Sequence, residues 1–170
     1  MGIVIGYTVD SQENIKQLLN AKDYYEAERE LGLYHEYQGI SFQRWSYDFG
    51  SGMKGWAPMF MLLHLSVPSN TTAYFFDEKN WLPETSTHPR MLHLTRDLML
   101  ELWGTLRSIS IDSLEGHAKA FCEEIKKLDS LYHAWKIERF ETILDEYLEL
   151  FRACQSAARW EGFEMIITME

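Results

Sequence analysis

Cysteine is scarce, basic residues are few, and no long uninterrupted hydrophobic run occurs; each shortage excludes something. Only Cys122 and Cys154 are present among 170 residues, with no C-x-x-C pair. Both are expected to pack as small hydrophobes, and such usage fits a reducing compartment. The longest apolar run, residues 56–67, is interrupted by Pro58 and His64 and is too short to cross a bilayer. The start, MGIVIGYTVD, lacks the basic segment of a signal peptide, and Gly6 stands where a myristoylation signal needs Ser or Thr. A cytoplasmic protein without a membrane segment is expected.

The deficit of bases is even along the chain: 11 acids face 6 bases in residues 1–85 and 15 face 10 in residues 86–170, for a net charge of -10. Nucleic-acid binding usually needs clustered Lys and Arg to neutralise phosphates, so a direct DNA or RNA binder is not expected and a basic partner protein is easier to accommodate. No internal repeat or low-complexity segment appears. Apolar residues make up 46% and aromatic residues 14%, with six Trp, so a complete core is available to one domain spanning residues 1–170.

The hydrophobic pattern gives an α+β chain: a small mixed β-sheet that includes strands at both termini, packed on several helices. A β-prone run at residues 3–7 leads to Asp10, expected as an N-cap with Glu13 completing a capping box. A helix follows from about Ser11, and a second spans residues 23–31 and stops at Gly32. Residues 40–49 alternate as a half-buried strand, and Pro58 opens a short apolar helix through His64. Residues 71–76 read as a strand and 77–94, with Pro83 and Pro89, as a long connection. Helices follow from Thr95, and Asp112 with Glu115 makes a second box. The strongest element is a long amphipathic helix over residues 137–160, with Phe140, Ile143, Leu144, Tyr147, Leu148, Phe151 and Cys154 recurring at three and four. Glu141, Asp145 and Glu149 form an acidic ridge on its other side, with no lysine between them, and could meet a basic partner. Gly162 ends this helix before a final strand, 163–169.

Residues 47–56, YDFGSGMKGW, hold the main ligand signal. Gly50, Gly52 and Gly55 have the G-x-G-x-x-G spacing that lets a backbone approach a pyrophosphate. The preceding strand alternates, however, and Trp56, Ala57 and Pro58 follow, where the nucleotide fingerprint needs a buried strand and a long helix. A tight turn is the plainer reading. A small-anion or nucleotide-binding protein or enzyme with a pocket near residues 44–56 remains as the alternative, with Arg44 and Lys54 as cations, Asp48 as a base, and Trp45 and Trp56 beside the glycines. Ser51 is not in a G-x-S-x-G elbow. The six histidines, His88 and His93 across Pro89 among them, show no ligand spacing. No catalytic residue, metal or cofactor is therefore assigned. A non-enzymatic acidic binding module, of the immunity-protein kind, leads, with Trp56, Trp81 or Trp160 as anchors.

The opening MGIVIGYTVDSQENIKQLL, with the later stretches LWGTLRSISIDSLEGH and LFRACQSAARWEGFEMIIT, resembles the YfbM-like family of bacterial proteins of unknown function. Its members typically begin with Met-Gly, a short apolar strand and a helix. The resemblance covers the first twenty residues and roughly the last seventy. The centre departs from it: Ser46, Tyr47, Asp48, Phe49 and Gly50 follow Trp45, where a Leu-His pair ahead of a glycine turn is the family pattern. The resemblance implies an α+β fold and a bacterial cytoplasmic setting, and it transfers no functional residue.

Overall fold

The structure, a computed structural model, describes residues 4–37, 43–48, 56–121 and 140–169. Five strands, β1 (Val4–Ser11), β2 (Gln43–Asp48), β3 (Trp81–Leu82), β4 (Arg90–Leu94) and β5 (Phe163–Met169), form one sheet in the order β2-β1-β5-β4-β3. The α+β class expected from the pattern is what forms. The sheet is antiparallel at every pairing rather than mixed. β1 and β4 do run the same way, but β5 lies between them, so no parallel pair is made.

Seven α-helices among the described residues cover this sheet: α1 (Gln12–Leu19), α2 (Tyr24–Tyr37), α3 (Trp56–Ser66), α4 (Asn70–Phe76), α5 (Arg96–Ser108), α6 (Ile111–Ala120) and α7 (Phe140–Arg159). Strand side chains alternate between faces. Tyr7, Val9, Leu92, Leu94, Met165 and Ile167 join the larger core, which includes residues of α3 to α7. Met91 and Ile166 point the other way, into a smaller core made by Ile15, Leu18, Tyr24, Ala27 and Leu31 of α1 and α2. β5 is thus covered on both faces, which explains why Met165, Ile166 and Ile167 run apolar without alternating. Among the described residues no helix is long and apolar enough to cross a membrane.

Several elements differ from the pattern-based reading. The cap of α1 is Ser11, whose Oγ accepts from Asn14 N, and not Asp10 with Glu13. Asp10 is still in the ladder, opposite Glu164, and its Oδ1 accepts from Asn14 Nδ2 at 3.0 Å. α6 is likewise capped by Ser110, not boxed by Asp112 and Glu115. α2 continues through Gly32 to Tyr37, a cost of about 1 kcal/mol that a helix can absorb. Residues 71–76, β-prone by composition, are helical: Ser69 and Thr72 form a reciprocal capping box, and Phe75 stacks on Phe60 with centroids 3.7 Å apart. Local caps and packing outweigh propensity there. The connection expected at 77–94 contains a 3-10 turn (Glu78–Asn80) and the β3–β4 pairing, closed by a Thr85–His88 bridge.

The end of α7 is fixed by a single guanidinium. Arg96 Nη1 lies 3.0, 2.8 and 2.9 Å from the carbonyl oxygens of Ala157, Trp160 and Phe163, to which it donates. These include carbonyls that a helix terminus leaves unpaired. Gly162, with φ +74°, turns the chain into β5, and its carbonyl accepts from Gln12 N. Arg96→Met is expected to lower stability by about 2 kcal/mol and Gly162→Ala by about 1 kcal/mol in urea unfolding. Unchanged midpoints would show that this turn is held by packing alone.

Candidate functional site

α7 buries Ile143, Glu146, Tyr147, Leu150, Ala153, Cys154 and Ala157, which recur at three and four residues and form the face packed into the larger core. One of these seven is a carboxylic acid. Glu146 is fully buried, and neither Oε1 nor Oε2 has a hydrogen-bond partner. The hydroxyl of Tyr7, fully buried on β1, is also unpartnered. The two side chains lie within electrostatic range: burial raises the Tyr7 pKa most, followed by the charges of Glu146, Cys154 and Glu149.

Burial, then the neighbouring Asp145 and Glu149, pushes the Glu146 carboxyl from 4.5 up to about 9. The acid is therefore neutral at pH 7, with a proton it can donate. Cys154 is raised well above the ordinary thiol range by burial, so no thiolate is available. Each buried unsatisfied polar atom costs about 1–3 kcal/mol. Elsewhere the core does satisfy such groups: Tyr147 donates its hydroxyl to the Leu106 carbonyl at 2.6 Å, and Trp81 Nε1 donates to the Phe75 carbonyl at 2.8 Å. Ser66 Oγ and His117 Nδ1 are also buried and unpaired, with one such atom on each side chain.

The other buried carboxylates have partners. Glu164 Oε2 pairs with His93 Nε2 at 2.7 Å, and its Oε1 accepts from Arg96 N. His88 bonds Thr87 Oγ1 and the Ala21 carbonyl, so His88 and His93 serve separate networks. Among the described residues no group of His, Cys, Asp and Glu is arranged to hold a metal ion.

Of the residues singled out in the sequence, Arg44, Trp45 and Asp48 fall in β2, whose register sets them opposite Thr8, Tyr7 and Val4. Trp56 opens α3. Gly50, Gly52, Lys54 and Gly55, with Ser51, lie outside the described residues. α7 packs against β1, β2 and α3. Within the acidic ridge, Glu141 lies in the first turn of α7, Asp145 is exposed, and Glu149 pairs with Arg152 at 2.6 Å. The ridge is therefore partly neutralised. Trp81 is a core residue and no surface anchor, whereas Trp160 is 53% exposed. Tyr7 and Glu146 were not candidates in the sequence.

No protein-family model and no curated protein sequence matches the chain. Among solved structures, the chain is similar to the crystal structure of a protein of unknown function, YfbM from Escherichia coli, with a TM-score of 0.56 over 98% of this chain and 99% of that one, at 12% identity. The fold is that of YfbM. At this identity the likeness to YfbM carries topology only.

The raised acid has a consequence for stability. Between pH 4.5 and about 9 the folded chain keeps a proton on Glu146 that the unfolded chain has lost. The stability this group contributes is complete below its unfolded pKa. It then falls by up to about 1.4 kcal/mol per pH unit until the folded pKa is passed. Urea unfolding followed across this range is expected to show that slope in the wild type and not in Glu146→Gln. Glu146→Leu, which removes the unpaired oxygens, is expected to add about 1–3 kcal/mol near pH 7. Equal slopes in wild type and Glu146→Gln would contradict the assignment.

Proposed function

We propose that the protein binds a small ligand where β1 and β2 meet α7, with Glu146 and Tyr7 as the polar groups that receive it. One observation carries this reading: three buried polar atoms, both Glu146 oxygens and the Tyr7 hydroxyl, go without partners in a fold that pairs the Tyr147 hydroxyl and the Trp81 indole. Buried unsatisfied groups of this kind mark binding or catalytic positions more than packing positions. The reading assigns no reaction, since the nearby Cys154 thiol is held protonated. The sparse cysteine usage supports a reducing, cytoplasmic setting.

A thermal-shift panel of amines, alcohols, carboxylates, phosphates and nucleotides tests it. A ligand at about a hundred times its Kd adds about 2.7 kcal/mol. At least one class is expected to raise the wild-type Tm, and Glu146→Gln and Tyr7→Phe are expected to abolish or sharply reduce that shift. Shifts of the same size in all three proteins would rule out this site.

A second reading is a module of the immunity-protein kind that recognises a basic protein. It is supported by the net charge of -10 and by the exposure of Trp160, a residue type that commonly anchors interfaces. Affinity capture at low and high salt is expected to recover a basic partner at low salt only and to fail with Trp160→Ala. Capture that ignores both salt and this substitution would argue against it.

A further inference from the structure

We propose that the group accepted between Glu146 and Tyr7 is a cation, an ammonium or guanidinium, which displaces the Glu146 proton on binding. This rests on the ligand-binding reading above and adds the chemical class. The charged groups that act on Glu146 are Asp145 and Glu149 of its own helix, and Tyr7 on β1 is in turn acted on by Glu146 and Glu149. None of them is a cation. Among the described residues of α7, Arg152 is on the exposed side and is taken by Glu149 at 2.6 Å. Arg96, the other well-placed guanidinium, is engaged by three carbonyls at the far end of the helix.

An anion brought to this corner would meet the charges of Asp145 and Glu149, which already disfavour negative charge on Glu146. A cation would meet two carboxylate oxygens and a phenol oxygen, all unpaired and all able to accept. Its charge offsets the cost of ionising Glu146 in a buried place, which the fold alone leaves unmet. The protons balance simply: the carboxylic acid and the ligand cation become an ion pair, and one proton leaves to solvent. Affinity therefore increases about tenfold per pH unit until Glu146 ionises unaided or the ligand loses its own proton.

Calorimetry on the full chain tests this with a matched set of probes: pentylammonium, pentylguanidinium, 1-pentanol, pentanoate, and a short unstructured lysine-containing peptide. The expected result is binding of at least one of the two small cations, tightening about tenfold from pH 7 to pH 8. About one proton should be released, read from the heats in two buffers of different ionisation enthalpy. Neither 1-pentanol nor pentanoate should match it. This proton count needs no variant, and Glu146→Gln should lose both the binding and the release. Peptide binding with the same proton count and no binding of the free cations would place the cation on a protein partner, overturning the small-ligand reading but not the cation. Binding of 1-pentanol or pentanoate that depends on Glu146 and releases no proton would overturn the cation and leave the ligand site standing. If no probe binds, or the cations bind Glu146→Gln equally well, the cation proposal fails; the broader ligand panel then decides the site on its own.

Discussion

The sheet is completed by its last strand. Among the described residues, β5 pairs with β1 on one side and β4 on the other, so the amino-terminal strand and the β3–β4 pair are joined in the sheet through residues 163–169. That insertion requires α7 to end at one place and turn at once. Arg96, reaching from the start of α5, and Gly162, in the left-handed region, supply the fixed end and the turn. Pairings between elements distant in sequence therefore complete the sheet.

Once α7 is seated, its inner face is closed against β1, β5 and the neighbouring helices, and whatever that face carries is withdrawn from water. Six of its seven buried residues suit that environment, and Glu146 does not. On the opposite face of the sheet the same fold handles buried acids differently: Glu164 meets His93 and the Arg96 amide, and Asp10 meets the Ser11 amide and the Asn14 side chain. The contrast locates the cost. Two acids on the smaller-core face are part of the framework, while the acid on the larger-core face is held neutral beside an unpaired phenol.

Much of the architecture was legible because it is written in local patterns. Phe163 to Met169 read as a strand from its apolar run and the glycine before it, and α7 from residues recurring at three and four. Residues 71–76 are not legible as a helix because Thr, Tyr and Phe favour strands, while the deciding features, the Ser69 cap and the Phe60 stack, depend on one serine and on another helix. The stripe on α7 also differs from its sequence pattern: Leu144, Leu148 and Phe151 are only partly buried, and the centre passes through Glu146, Leu150 and Ala153. An acid placed three residues after Ile143 and four before Leu150 was the available signal for the site. Tyr7 gave none, since an aromatic on a central strand is ordinary core until its hydroxyl is seen to lack a partner. The glycine-rich segment and Lys54, which carried the strongest motif, lie outside the described residues.

The protonation state of Glu146 is the point on which the functional account turns, and it can be observed directly. With glutamate carboxyl carbons labelled and the Glu146 resonance assigned by its loss in Glu146→Gln, an NMR titration of the unliganded protein reads its ionisation without reference to stability or binding. The account predicts a carboxyl still protonated at neutral pH, with its midpoint near 9. A midpoint near the ordinary value of 4.5 would show that the acid is hydrated or paired in solution, and the case for a binding site between β1 and α7 would go with it.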